Sequence, residues 1–502
     1  MAVDAPSASE TPSAPSLLRS GALSLFTSAA PLVVALVALP VLTRQLGTER
    51  LGLLALAWAW LGYAALLDFG LGRALTRMVA ASDAGEPLDA PIGAFVATAH
   101  LTLASVGAVV GLIGAAIAPW YVTTVLHASV ELRSDAILCA VIFALTVPLI
   151  TGASVPRSVL EARQQFRAVN LVRMPLSVAT FAVPLLLLPF TTSLTAIAAL
   201  LCIVRAAAWW RYSALARRQI LAAETNPPAS AHLRPLLRAG AWMTVSNVLS
   251  PLMTIADRFV IGSLISVSAV ALYAVPWEAV TKLWIVPGAL TMVLFPAIAR
   301  AAISEPEQMI PLHAASVRLL TLLVAPVCAV VCLLAPSLLR LAGGAAYTGD
   351  SVNVLRILAI GVAANCVAAA PFTLLQASGR ARWTATLHLF EIIPFALALW
   401  FAVARWGIVG AAMAWTLRVL IDAALMAWRA QSVAPLPASS LAINAAGVLA
   451  VAACALIGTL APDANVIWLI LAVCIAGLLP VFLWNQRSAA ERMVLERVGG
   501  RS

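Results

Sequence analysis

The chain has 502 residues, 62% of them hydrophobic and only 10% charged, with a mean hydropathy of +0.99 and a formal net charge of +10. A soluble protein this apolar would lack the polar surface to stay dissolved, so composition excludes a water-soluble enzyme or binding module. A membrane β-barrel is excluded as well, because its strands would be about ten residues of alternating polarity.

In chain order, the first 16 residues, MAVDAPSASETPSAPS, predict a disordered cytoplasmic N-terminus. They carry no basic n-region, and the apolar run that follows is too long for a cleaved signal peptide. A membrane helix needs about 20 apolar residues, and about 14 such spans are predicted. They lie near 23–43, 51–72, 92–118, 136–155, 168–190, 194–215, 236–256, 268–298, 317–341, 353–375, 383–404, 407–428, 440–461 and 465–485. They divide into a first six-helix bundle (17–221), a linker (222–235) where Pro227 and Pro228 interrupt the pattern, and a second six-helix bundle (236–430). Two extra transmembrane helices (431–485) and a basic cytoplasmic tail (486–502) complete the chain. The expected fold is therefore an all-α polytopic membrane protein.

The two bundles read as copies. Leu17 to Trp58 recurs from Leu236 to Trp277 at an offset of 219 residues: LLRSGA at 17–22 becomes LLRAGA at 236–241, and LGLLALAW at 51–58 aligns on VALYAVPW at 270–277. Two parallel copies of a multi-helix unit form two bundles around a central cavity, which is a transporter's architecture.

Charge placement sets the expected orientation. With a cytoplasmic N-terminus, the links after even-numbered spans hold Arg73 and Arg77; Arg157, Arg163 and Arg167; Arg211, Arg217, Arg218 and Arg234; Arg300; Arg380 and Arg382; and Arg429. The opposite links at 191–193 and 462–465 hold none, so both termini are expected in the cytoplasm. On this reading the basic pI of about 9.9 reflects topology rather than nucleic-acid binding.

Nothing in the chain reads as an enzyme centre. All seven cysteines fall in or beside spans, and Cys328 and Cys332, one helical turn apart, read as packing residues rather than metal ligands. The five histidines form no HExxH, and there is no GxxxxGK[ST] loop or GxSxG elbow. No catalytic residue, metal or cofactor is expected. The GLG at 70–72 reads as a turn.

The informative residues are charges at membrane depth, each costing about 2.5–3.5 kcal/mol to insert. Glu278 and Lys282 share a helix face at i,i+4 in the eighth span, which also carries Pro276, Pro287 and Pro296 and so can bend. Lys282 is the only lysine in the chain and reads as a cation facing a cavity. Arg418 and Asp422 repeat the i,i+4 spacing and are expected to neutralise each other. Asp257 and Arg258 stand where the first copy has Ala38 and Leu39, and they read as the outer end of their helix. Glu391, one turn beyond His388, reads as a protonatable coupling group, and Arg205 as a snorkelling side chain.

The run LTRQLGTERLGLLALAWAWLGYAALLDFGLGRALTR (42–77) resembles the N-terminal signature of the polysaccharide-biosynthesis export family, the oligosaccharide flippases. The resembling features are Leu46-Gly47 to Gly52, then Asp68, Gly70 and Gly72 before Arg73. Stretches 256–275, 375–382 and 405–415 extend the likeness over most of 17–430, with Ala271 standing where the first copy has Gly52. The resemblance implies a flippase that moves a polyprenyl-diphosphate-linked oligosaccharide from the inner to the outer leaflet of the bacterial cytoplasmic membrane by alternating access. It implies the lipid bilayer, the lipid-linked glycan, and the polymerase and glycosyltransferases of the same pathway as partners. Lys282, Arg258 and Arg73 are the expected substrate contacts, and Glu391, Asp257 and Glu278 the expected ion-coupling groups.

Two other readings stay open: a multidrug/cation antiporter of the same superfamily, and a membrane polysaccharide polymerase or glycosyltransferase. The second would need a sizeable outward loop with catalytic side chains, whereas the longest outward link, 119–134, offers only Glu131, Arg133 and His127.

Overall fold

The structure, a computed structural model, describes residues 14–68, 70–83, 91–220 and 233–460. Among these residues regular structure is helical throughout: α1 (Ala14–Leu66), α2 (Leu71–Asp83), α3 (Ile92–Trp120), α4 (Arg133–Leu145), α5 (Val147–Ala162), α6 (Phe166–Leu187) and α7 (Leu194–Ile220). After the linker come α8 (Leu233–Leu264), α9 (Val267–Thr281), α10 (Ile285–Ser304), α11 (Met309–Gly343), α12 (Asp350–Ala377), α13 (Ala381–Gln431) and α14 (Ala438–Leu460). Helices dominate because a backbone in hydrocarbon must satisfy its own donors and acceptors. Nine helical stretches among the described residues are long and apolar enough to cross a membrane. The predicted spans from 23–43 to 440–461 fall on these helices. The span at 465–485, the tail, residues 1–13 and linker residues 222–232 lie outside the described residues.

Two of the longest helices are hairpins in disguise. α1 turns at Gly47 (φ 76°) and α13 at Trp406–Gly407, where Gly407 has φ 61°. Positive φ is open to glycine at little cost, so each turn sits at the glycine that permits it. The second copy makes the turn equivalent to Gly47 differently: Ser266 caps α9 by accepting the Ala269 amide at 3.1 Å.

Helices α1–α7 pack mainly on one another, as do α8–α14, and the two units meet chiefly through α1 against α8 and α9. Within the first unit, Gly107 and Gly111 of α3 let Pro148, Thr151 and the Ala144 carbonyl approach to contact distance, a small-xxx-small seam. At the end of the molecule that carries Gly47, Asp135 of α4 caps α7, accepting the Leu194 and Thr195 amides at 2.7 and 2.9 Å. At the opposite end the Asp68 carboxylate accepts the Gly70 amide at 2.9 Å, which makes the predicted GLG turn. Large apolar side chains such as Phe390, Ile393, Leu397 and Trp400 point outward and are more than half exposed, as a lipid-facing surface requires.

The charge asymmetry between the two ends is real but incomplete. Arg157, Arg163, Arg167, Arg217, Arg380 and Arg429 cluster at the end opposite Gly47, yet Arg44, Arg133 and Arg340 sit near the Gly47 end. Arg44 is used structurally there, donating to the Leu341 carbonyl of the second unit at 2.9 Å.

Candidate functional site between the two units

The site grows from a break in one helix. Pro276 and Pro287 remove backbone donors on either side of Lys282, and the chain answers with a short 3₁₀ turn at Lys282–Trp284 joining α9 to α10. At 1.5 Å per residue, Lys282 lies roughly 22 Å from the start of α9, well inside the bilayer. Trp277 packs edge-on against both Trp284 and Trp415 around the break, with the Trp277 and Trp415 ring centroids 4.8 Å apart.

Three predicted residues meet there. Glu278 accepts Lys282 Nζ at 2.5 Å through Oε2 and Arg258 Nη2 at 3.0 Å through Oε1. The i,i+4 pair expected on one helix is therefore a triad spanning two helices. Asp257, fully buried, accepts the Tyr273 hydroxyl at 2.5 Å and the Arg258 amide at 2.7 Å. Contrary to expectation, Asp257 and Arg258 do not close their helix: α8 runs on to Leu264, and both side chains are buried within the bundle. The reason is tertiary. The 265–266 turn folds α9 back along α8, so Tyr273 and Glu278 supply partners that make burial tolerable.

The first unit closes the site with aromatic rings. Lys282 Nζ lies 5.1 Å from the centroid of Phe181 on α6, which packs at 5.1 Å against Trp58 of α1. Tyr63 of α1 stacks on Phe259 at 5.4 Å and donates to the Leu252 carbonyl at 3.1 Å. The arrangement is a cation-bearing face of the second unit opposed to an aromatic face of the first. Lys282 keeps 27% of its side chain exposed, whereas Arg258 keeps 7%. Glu278 and Asp257 offset Arg258 and Lys282 in number, and Lys282 is the cation of the cluster with the most exposed side chain. An ammonium with part of its surface open can donate a charge-assisted hydrogen bond to an anionic ligand. Arg73 lies on α2, but its side chain is outside the described residues.

The predicted coupling residue Glu391 stands elsewhere, between the two arms of α13. Arg418 donates to its Oε2 through Nε and Nη2, each at 3.1 Å, so the expected Arg418–Asp422 pair is not formed. Asp422 instead faces His388 Nε2 at 3.5 Å. The hairpin at Gly407 brings the arms together and lets each charge choose a partner across the interface rather than along its own helix. Arg205 donates back to the Leu201 carbonyl of its own helix at 3.2 Å, a link that the snorkelling expectation did not include. Cys328 and Cys332 are fully buried in the second unit's core, as packing residues.

Sequence reasoning missed Tyr273, Tyr63, Trp58 and Phe181. Tyrosines and tryptophans at membrane depth were the available signal, because a buried hydroxyl or indole seeks a partner.

At the Gly47 end the units are closed on each other. A Cβ on Gly52 would meet the Val267 carbonyl oxygen at 2.0 Å, so only glycine allows the backbones of the two copies to touch there.

The sequence profile of the polysaccharide biosynthesis protein family matches residues 18–302, more than half of the chain. The chain belongs to this family. A Shigella flexneri protein whose name assigns it to O-antigen transport is 30% identical over 414 residues, covering 82% of this chain and 97% of the relative. Among solved structures, the lipid II flippase MurJ in an inward closed conformation superposes with a TM-score of 0.70 over 96% of this chain and all of MurJ, at 11% identity. An inward-facing multidrug resistance MATE transporter of the MOP superfamily gives 0.60 over 81% of this chain and 95% of its own, at 15% identity. At such identities the likeness establishes the fold: this polysaccharide biosynthesis protein is a multi-pass helical membrane protein of transporter architecture.

Proposed function

We propose that this protein is a flippase that carries a polyprenyl-diphosphate-linked oligosaccharide from the inner to the outer leaflet of the cytoplasmic membrane. The observation that carries the reading is the Arg258–Glu278–Lys282 triad, built by α8 and the break between α9 and α10, with Lys282 facing the Phe181 ring of the other unit, itself packed on Trp58. A diphosphate and its sugars cannot enter about 30 Å of hydrocarbon without replacing their hydration. A cationic wall supplies charge-assisted donors for the phosphates, and an aromatic wall gives sugar rings an apolar face to pack on. The lipid tail stays in the bilayer.

In this reading Lys282 takes the diphosphate first, because Glu278 then retains Arg258 as its counter-charge. Arg258 and Arg73 are secondary contacts, and Asp257, Glu278 and Glu391 remain the groups for ion linkage. Both termini lie in the cytoplasm, so the arginine-rich end faces inward and the Gly52–Val267 contact seals the outward side. The site then loads from the inner leaflet. The polymerase and glycosyltransferases of the same pathway would act on either side of this step. The family's named relatives and neighbours are transporters, which supports transport over catalysis.

The test is the leaflet distribution of lipid-linked oligosaccharide in cells depleted of the protein, with a glycan-binding lectin restricted to the outer face. Intermediate that accumulates out of the lectin's reach is the expected result. Normal outer exposure without polymer would instead identify an enzyme acting after flipping. No change in either would leave drug efflux as the better account.

A further inference from the structure

A groove of about 500 Å³ lies between α6 and α7 of the first unit, apart from the triad. Its walls include Leu171, Val172 and Pro175 on α6 and Ala207, Ala208 and Arg211 on α7, the same i, i+1, i+4 spacing on each helix, so each set shares one face. Pro175 removes a backbone donor and permits α6 to bend, and the two alanines leave room beside it. The floor is firm. Val172 and Ala208 belong to a core cluster with Tyr212, whose hydroxyl donates to the Val169 carbonyl at 3.3 Å and ties α7 to α6. The mouth opens outward: α6 and α7 pack chiefly on each other and on α1, α4 and α5, and the rim residues Leu171, Pro175, Ala207 and Arg211 stay exposed.

Depth and charge say what fills it. Arg211 stands 17 residues (211 − 194) from Leu194 at the Gly47 end of α7, roughly 26 Å at 1.5 Å per residue. With about 30 Å of hydrocarbon to cross, its guanidinium reaches the headgroups of the leaflet at the arginine-rich end. From there the groove runs inward to Val204, about 10 Å deeper along α7. An apolar groove at that depth stays dry, and a void would forfeit dispersion contacts along both walls, so an acyl chain is its natural filling. Arg211 is the one charged residue lining the groove, and among the described residues it has no hydrogen bond or ion pair. At the same end Arg167, Arg173 and Arg217 are exposed too, whereas the described acids of α2 and α5 are paired, Asp83 with Arg163 at 3.1 Å and Glu161 with Arg157 at 3.5 Å. A rim with excess positive charge fits a headgroup of net negative charge; a zwitterionic headgroup would set a second cation against the same arginines.

We propose that the groove between α6 and α7 binds one anionic glycerophospholipid of that leaflet, with its phosphate on Arg211 and an acyl chain along the Val172–Ala208 floor. The groove lies off the path to the triad. Val172 and Phe181 are nine residues apart (181 − 172) on α6, two and a half turns, so they face opposite sides of the helix. The bound lipid therefore backs the helix whose other face presents Phe181 to Lys282. Its binding is independent of what the protein carries.

The test places the photoreactive residue p-benzoylphenylalanine at position 171, on the exposed rim, in the full chain. The protein is reconstituted in liposomes of equal parts phosphatidylglycerol and phosphatidylcholine with identical acyl chains, irradiated, and its adducts identified by mass spectrometry. Phosphatidylglycerol adducts should exceed phosphatidylcholine adducts several-fold. The excess should vanish in Arg211→Gln and survive in Arg217→Gln, an exposed arginine of α7 that does not line the groove. Ala207→Phe, which fills the groove from its rim, should lower phosphatidylglycerol capture as well, and it keeps the test decisive if Arg211→Gln fails to fold. Equal capture of the two lipids would overturn the proposal, since the groove would then hold ordinary bilayer lipid. So would an excess that persists in Arg211→Gln, or capture of another segment of this chain in place of lipid. Displacement of phosphatidylglycerol by added polyprenyl phosphate would overturn it too, by making the groove part of a substrate path.

Discussion

The two copies of the repeat read in the sequence differ sharply in the chemistry they carry. Positions that are Ala38, Leu39, Leu54 and Ala59 in the first copy are Asp257, Arg258, Tyr273 and Glu278 in the second, at the same offset of 219 residues. In the first copy these side chains are buried apolar packing; in the second they form a hydrogen-bonded ionic network. Tyr63 stands where the second copy has Lys282, and it faces the second unit from across the interface. The difference teaches that a buried charge is sustainable only where its partners have changed with it: Glu278 is tolerable because Arg258 and Lys282 accompany it.

That contrast can be broken most severely by separating the partners. Glu278→Ala should destabilise the protein by about 3 kcal/mol, since it strands the buried Arg258 and leaves the partly exposed Lys282 without its partner. Thermal unfolding of the detergent-purified protein checks this. The reverse graft, Ala59→Glu, should cost a similar amount, because Leu39 offers no cation at the position where Arg258 serves Glu278. A stable Ala59→Glu protein would show that the partners matter less than argued.

Next in size is Lys282→Ala, which relieves the pair without stranding a cation. Translocation should fall about 10- to 100-fold with the fold intact, and Lys282→Arg should restore part of it. Unchanged export in Lys282→Ala would remove the phosphate role from this residue.

Gly52→Leu sharpens the comparison at the contact between copies. The added side chain collides with the Val267 backbone, so the closed state at the Gly47 end should lose population. Thiol labelling of a cysteine introduced near that contact should then become faster. The second copy has Ala271 at the equivalent position, so Ala271→Gly should change labelling far less.

The smallest effect belongs to Tyr63→Phe. It deletes one hydrogen bond to the Leu252 carbonyl but keeps the stacking on Phe259, and should cost about 1 kcal/mol in the same unfolding assay.

Much of the fold was legible because hydrocarbon imposes simple rules. Uniform apolar runs had to be helices, and the order of glycines and polar links placed the turns at Gly47, Gly70 and Gly407. The Glu278–Lys282 pair was legible for the same local reason, since helical spacing alone brings i and i+4 together. The same rule misled at Arg418–Asp422. Both residues do share a face, but Glu391 on the facing arm offered Arg418 a better-placed carboxylate.

By itself, then, the sequence determined the membrane class, the helices and which charges would lie at depth. These depend on composition and on neighbours a few residues apart. Only the tertiary structure decided which charge meets which: Arg258 with Glu278 across the 265–266 turn, Glu391 with Arg418 across the Gly407 hairpin, and Lys282 over Phe181 across the two units. Those pairings depend on how helices rotate and slide against one another, and that is set by the packing of whole faces rather than by any local spacing.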